Sequence, residues 1–444
     1  MKKLGFVTTV AFVLILIGIP PFVPADWITG AGGNAARTGY VDTVGPIQPN
    51  RLWEGVRFTR ATRPIVVAEG RIYGTWFESG NPFNEVFVLD LLSGTELWSV
   101  ELPADGLDTT SYRSRVSAVR DGQAYLTRAS GTSNPAPIYA HDAVTGDLLW
   151  QSADKVGEHS SNSCSFAPDG DLIILGGLFP DQLLLRIDKD TGATIWSVPI
   201  EPDTDDGIGA VVWGDRVYAF SWIAFPGGSS IGVKAFDLAT GAFVCNSPDL
   251  VWWGASVQHG LFIGLDGKIY AVRASSQDYL NYIYALEDSG TSLDIVWTYT
   301  AGYGWASTFG VGPDGSIYSH DIDGHLIRLD PTDGSLIART VAPLPGHDVG
   351  SWYDWSPRLA VDSQGKVFAT NGSYAAGTLS AYDSDLKLLW TEDVGTMSIT
   401  GPALSSTGEL VLQTRYQGMI VYTSTIFADG FESGDTGAWS GQQP

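Results

Sequence analysis

Gly228-Ser229-Ser230-Ile231-Gly232 has the G-x-S-x-G spacing of a serine nucleophile. That spacing works on a sharp strand-to-helix elbow, which lifts the hydroxyl clear of the sheet. Here the flanking residues read as a loop between strands, so no nucleophile is expected. Asp203, Asp205 and Asp206, followed by Gly207, offer the hard oxygen atoms that calcium prefers. The other ligands of a helix-loop-helix calcium site are missing, and a solvated acidic loop is expected instead. Asp188 and Asp190, and Asp321 and Asp323, read as turn acids on the same ground. No H-E-x-x-H and no G-x-x-x-x-G-K occurs, which removes the common zinc-protease and phosphate-cradling arrangements. Asn371-Gly372-Ser373 matches a glycosylation sequon, a pattern frequent by chance.

The residues that stand out are instead aromatic and basic side chains between the periodic segments. Trp252, Trp253, Tyr303, Trp305, Trp352, Tyr353 and Trp355 are there, as are Arg57, Arg60, Arg63, Arg113 and Arg115. Trp, Tyr and Arg dominate binding hot spots. Trp253, Tyr303, Trp305, Trp352, Trp355, Arg60 and Arg113 are the expected ligand-binding set. The alternative is that the rings pack inside and plug the channel.

What must position them is a repeat. VFVLDLLSGTELW (86–98), IYAHDAVTGDLLW (138–150), LLLRIDKDTGATIW (183–196) and LSAYDSDLKLLW (379–390) share one phrase: apolar run, acid, turn, Trp. VKAFDLATGAFVC, IYALEDSGTSLDIVW and LIRLDPTDGSLIAR are weaker copies. Each is preceded by a shorter hairpin such as VAEGRIYG, VRDGQAYL or GLDGKIYAV, where a turn glycine accepts positive φ. The acids at 90 and 383 lie six steps apart, about 49 residues per step. That period means four antiparallel strands, a to d, in each unit of a ring. Seven units are complete. Residues 401–423 supply strands a to c of an eighth, and Arg51 to Gly55 reads as its missing d strand. The expectation is an all-β, eight-bladed propeller closed by both termini, with no exposed sheet edge. In such a ring the d-to-a and b-to-c connections share one face, and variable loops on a rigid scaffold are where binding usually lives. Enlarged b-to-c loops are expected at 77–85, 129–137 and 224–230. Trp53, Trp98, Trp150, Trp196, Trp297 and Trp390 are expected in the core, wedged against a neighbouring unit or their own turn. The repeated Asp90, Asp142, Asp188 and Asp237 are expected to be turn residues.

The phrase A-x-D-x-x-T-G-x-x-x-W, kept at 140–150, resembles the pyrroloquinoline-quinone-type propeller repeat, as does DWITGAGGNAARTGY at 26–40. That family includes quinoprotein dehydrogenases and the non-catalytic outer-membrane assembly factor BamB. The dehydrogenase branch implies calcium, the quinone, an Asp base and a disulfide between adjacent cysteines. The only cysteines are Cys164 and Cys245, expected on an inner and an outer strand as separate thiols. The assembly-factor branch implies a lipoprotein cysteine, which is not found after the apolar run. The resemblance implies fold more than activity. The expectation is an exported non-enzymatic scaffold that binds an envelope or extracellular protein, or a small ligand at the mouth, with no cofactor. A quinone- and calcium-dependent dehydrogenase and a carbohydrate-binding propeller are the alternatives.

The ends and the charge bound the setting. Lys2 and Lys3 precede an apolar run at 4–19, and prolines end it. Residues 1–25 read as a secretory signal, too short for a typical membrane span. Export to the periplasm or exterior without a lipid anchor is expected. The formal net charge of -24 repels phosphate backbones and excludes nucleic acid as a natural partner. Residues 425–444 form an acidic, Gly-rich tail carrying Phe427, Phe431 and Trp439. It resembles a short C-terminal segment of assorted secreted bacterial proteins, either a docking or sorting peptide or a flexible end.

Overall fold

The computed structural model describes residues 26–424, except 31, 56, 58–64, 78–83, 104–113, 130–134, 158–163, 179–180, 201–208, 226–227, 251–259, 275–280, 302–308, 322, 346–357, 372–375, 398–400 and 416. Its strands form six four-stranded antiparallel sheets and one of eight strands. The larger one is two units joined by a single bridge, Val156 to Gly176. Units 1 to 7 therefore span 66–101, 115–156, 165–199, 211–246, 261–301, 310–339 and 358–395. Unit 8 takes strands a to c from 403–422, and its d strand is Arg51–Gly55. Trp53 lies opposite Val421 and Glu54 opposite Ile420 in an antiparallel pair. The ring of eight is closed by strands more than 360 residues apart in the chain.

The core sits between units rather than within them. Each apolar cluster joins the facing sides of neighbouring sheets: Val88 and Val119 across units 1 and 2, Ile269 and Val233 across units 5 and 4, Phe368 and Leu412 across units 7 and 8. Phe262 of unit 5 stacks on Phe309, just ahead of unit 6, with centroids 4.6 Å apart. Period-2 alternation makes this possible, because both faces of every middle strand are apolar and buried.

An outer Trp completes five of the eight seams. Its indole lies on the glycine of the next unit's c–d turn and donates Nε1–H to a carbonyl of that turn. Trp53 donates to Leu91, Trp98 to Ala143, Trp150 to Lys189, Trp196 to Leu238 and Trp297 to Pro331, at 2.8–3.2 Å. The glycines beneath are Gly94, Gly146, Gly192, Gly241 and Gly334, all with φ of 69–79°. An added Cβ would lie 2.5–3.0 Å from the ring. The glycine is thus needed twice, for the left-handed turn and for the flat contact. The rings are less enclosed than expected: Trp196 and Trp297 are buried, but Trp53, Trp98, Trp150 and Trp390 are half-buried, since each caps the seam from outside. Trp390 is the exception in its bonding as well. Unit 8, built from both termini, has no c–d turn, and the Trp390 Nε1–H has no acceptor among the described residues.

The repeated acids hold these turns. Asp142 Oδ1 accepts from the Val144 and Thr145 amides, and Asp188, Asp237 and Asp90 likewise take an amide and a hydroxyl. Hydroxyl donation from Ser93, Thr191 and Thr240, and amide donation at Thr145, hold all four carboxyls below their ordinary value of 3.8. Cys164 and Cys245 are buried free thiols, on different units. Two expectations are corrected. Residues 228–232 lie on the strand Gly228–Asp237, not in a loop, because it pairs along its whole length with Arg216–Phe225. The b-to-c connection of unit 4 is therefore 226–227, not an enlarged loop.

Two outcomes follow. Gly192→Ala should destabilise by about 1–3 kcal/mol more than Gly122→Ala, measured by urea unfolding. Gly122 shares the positive φ, but an added Cβ there meets nothing within 4 Å. The strain of the left-handed backbone alone, about 1–2 kcal/mol, is common to both. Second, carboxyls whose folded value is depressed stabilise above their unfolded value and lose that contribution as pH falls through the folded one. The melting temperature should therefore hold from neutral pH to about 4 and drop below about 3.8. Asp142→Asn and Asp188→Asn together should flatten that drop.

Candidate functional site

The two ends of the ring differ in kind. At the end carrying the a–b and c–d turns, the N-terminal segment 26–45 runs along the channel and bonds to units 1, 2, 3, 5, 6, 7 and 8. Trp27, Ile28, Ala36, Thr38 and Gly39 offer carbonyls to the amides of Val67, Val119, Ile263, Val311 and Val361, at 2.7–2.9 Å. The Ser165 hydroxyl donates to Ala35, and Asp26 Oδ1 accepts from the Ser406 amide. Arg37, at φ 58° and 8% exposed, lies against Gly209, where a Cβ would strike its guanidinium. These amides belong to the innermost strands, whose free edges line the channel. Left unpaired and buried they would each cost about 1–3 kcal/mol, and the segment satisfies them.

Asn34 shapes the segment. Its Oδ1 accepts from the Ala36 and Thr38 amides at 3.1 and 3.2 Å, and its Nδ2 donates to the Thr38 hydroxyl and the Tyr40 carbonyl. Farther along, buried Asp362 and Lys366 pair at 3.0 Å and clasp Gly45, the carboxylate taking its amide and the ammonium its carbonyl. This half of the channel is structural. Sequence reasoning missed it. The signal was a Gly-rich stretch around Asn34, outside the repeat register and ahead of the closing strand.

The other end carries the d-to-a and b-to-c connections. Apart from residue 31, every internal segment outside the described residues is one of these. Trp253, Tyr303, Trp305, Trp352, Trp355, Arg60 and Arg113 all fall there, as do Arg63 and the acidic run at 203–207. By the strands on either side, each of the seven belongs to a d-to-a connection: Arg60 before unit 1, Arg113 before unit 2, Trp253 before unit 5, Tyr303 and Trp305 before unit 6, Trp352 and Trp355 before unit 7.

Buried polar residues gather among the described strand ends on this side. Thr127, His320, Thr370 and Thr414 end their b strands and are buried. Arg128, 2% exposed, donates Nη1–H to the Leu102 carbonyl at 2.9 Å. Arg115 is not a loop residue as expected: it opens the inner strand Arg115–Arg120 and is buried. Arg57 also departs from the expectation. Its guanidinium bonds to Glu85 at 2.7 Å and Glu96 at 2.6 Å, so its charge is spent on the side of unit 1. Asn371 is 1% exposed and gives its amide hydrogens to the Pro345 and Ala376 carbonyls, which leaves no nitrogen for a glycan. Among the described residues, no three His, Cys, Asp or Glu side chains gather as a metal site would require.

A family model described as outer membrane protein assembly factor BamB matches residues 37–222. Over that stretch the repeats are similar to those of pyrroloquinoline-quinone-type propellers. In the ring's architecture the chain is similar to BamB from Moraxella catarrhalis, at TM-score 0.55 and 13% identity, over 83% of this chain and 99% of that one. It is equally similar to a europium-containing methanol dehydrogenase, at TM-score 0.56 and 15% identity, over 89% and 91%. The Dos1 propeller matches at TM-score 0.57 and 12% identity, over 84% and 96%. At these identities the likeness is one of fold. No curated protein matches the chain by sequence.

Asn34→Ala should cost about 1–3 kcal/mol, because it strands two amides in a part-buried turn. Urea unfolding reads the loss, and Asn34→Asp should recover the accepted half of it.

Proposed function

We propose that this chain is an exported, non-enzymatic propeller that holds an envelope protein at the end carrying its variable connections. One observation supports this most. What the units share is absorbed by structure: the Trp and Gly by the seams, the Asp by the turns, the inner amides by residues 26–45. What distinguishes the units is the set of d-to-a and b-to-c connections, and Trp252, Trp253, Tyr303, Trp305, Trp352, Tyr353 and Trp355, with Arg60, Arg63 and Arg113, lie there. The BamB-type family match over 37–222 agrees with an assembly role in the envelope. In this reading Trp253, Trp305, Trp352 and Trp355 provide flat apolar contact area, and Arg60 and Arg113 supply charge-assisted bonds to an acidic or carbonyl-rich surface. No cofactor takes part.

The test is chemical crosslinking in the native envelope, followed by capture of the full chain and its Trp305→Ala, Trp355→Ala double variant. The expected result is loss of the crosslinked partner by about tenfold or more, with an unchanged melting temperature. Retained capture with a collapsed melting temperature would make the rings core residues and overturn the reading. Dye-linked alcohol oxidation after addition of calcium and pyrroloquinoline quinone would overturn the non-enzymatic part.

A further inference from the structure

Five of the eight seams keep the rule of an indole on a turn glycine, and of the other three one stands open. Between units 4 and 5 the outer Trp is replaced by Cys245, which pairs with Ala235 where Trp196 pairs with Arg186. No outer-strand indole reaches across. The turn glycine that would lie beneath it, Gly290 at φ 88°, has nothing within 4 Å of where a Cβ would be. A cavity of about 490 Å³ opens there, on the turn end of the ring and away from the variable connections. Pockets that hold small ligands or anchor side chains run from about 300 to 1,000 Å³.

Its walls are chemically defined. Trp213, 37% exposed, stands on one side with its indole nitrogen against Gly267. Asp288 lies on the other, its side chain 15% exposed, accepting the Tyr218 hydroxyl at 2.8 Å. Four acids, Asp215, Asp266, Glu287 and Asp288, face two bases, Arg216 and Lys268, a surplus of two negative charges. Arg216 meets Asp215 only at 3.4 Å and Asp288 at 3.9 Å, so its guanidinium does not saturate the carboxylates.

The protein itself shows what fits such a slot. Between units 6 and 7 the outer Trp is likewise absent, and Ala338 holds its place opposite Arg328. There the Arg328 guanidinium does the indole's work, donating Nη1–H to the Ser384 carbonyl at 2.8 Å and pairing with Asp314 of the a–b turn. Between units 3 and 4, Arg186 does the same beside Trp196, donating to Leu238 and pairing with Asp171. At units 4 and 5 the equivalent residue is Ala235, too short to reach. A guanidinium is planar, carries fork-like donors for carbonyls and carboxylates, and stacks on indole faces.

We propose that the slot between units 4 and 5 is a docking site for an arginine side chain carried by a partner polypeptide. Its guanidinium would lie between the Trp213 indole and the Asp288 carboxylate, as Arg328 lies in its own seam. The surplus negative charge disfavours free arginine, whose own carboxylate would enter with it. This site is distinct from the loop-end surface of the previous subsection and does not depend on it.

The test is calorimetric titration of the full chain with acetyl-Gly-Arg-Gly-amide, with the lysine and citrulline counterparts and free arginine as controls. The expected result is that the arginine peptide binds at least fivefold more tightly than any control, and that Cys245→Trp, which restores the missing wedge, weakens it at least tenfold. Trp213→Ala removes an exposed ring and leaves the core intact, so it serves if the Trp variant does not fold. It should weaken binding at least threefold. Equal affinity for arginine and lysine peptides, binding untouched by either variant, or no binding of the arginine peptide at millimolar concentration would each overturn the proposal.

Discussion

Every seam of this ring must solve the same problem: two twisted sheets, each apolar on both faces, meet at an angle and leave a wedge-shaped gap at the outer edge. An indole laid on a bare glycine closes it. The contact is geometric before it is energetic, because only a turn with positive φ presents a surface flat enough for the ring. Burying a large aromatic against such a surface stabilises by a few kcal/mol, and five seams do it in the same way. The indole N–H also donates to a carbonyl of the turn. Where this contact is missing the structure shows three different consequences: a guanidinium takes over between units 6 and 7, a donor goes unmatched at Trp390, and a cavity opens at Cys245.

The two ends of the ring follow from this arrangement. The short a–b and c–d turns are fixed by aspartates and glycines and by the indoles resting on them, which leaves little room for variation. The channel at that end is also filled by residues 26–45, whose carbonyls take the inner amides one unit after another. The opposite end carries none of these constraints. Its connections differ in length and composition from unit to unit, and its strand ends hold buried Arg115, Arg128, His320 and a set of threonines in place of aliphatic residues. A rigid frame with one sealed and one variable end is suited to holding something at the latter.

Much of the frame was legible in the sequence. The period of the acids gave the unit, the orphan strand around Trp53 gave the closure, and the Asp-x-x-x-Gly spacing gave the turns, because each of these is a local pattern with a local cause. The partner of each Trp was harder to read. Own turn and neighbouring unit are equivalent in sequence, and only the ring decides between them. The path of residues 26–45 was not legible at all, since most of its bonds are from backbone carbonyls to residues scattered from Val67 to Val361. Nor was the slot at Cys245. A cysteine in place of Trp looks like a small loss of packing until Ala235 shows that no arginine compensates. At the loop end, the expected binding residues lie outside the described part of the ring, and two arginines counted with them, Arg57 and Arg115, turned out to serve the frame.

The direct test of this account is native-state hydrogen exchange on the intact chain, read at the inner strands and at 26–45. If the segment is part of the ring, the amides of Val67, Val119, Ile263, Val311 and Val361 should exchange only as slowly as global unfolding allows, together with those of Ile28 and Gly39. Fast exchange of these five amides while the middle strands stay protected would mean that the segment does not seal the channel, and would contradict the division of the ring into a closed end and a binding end.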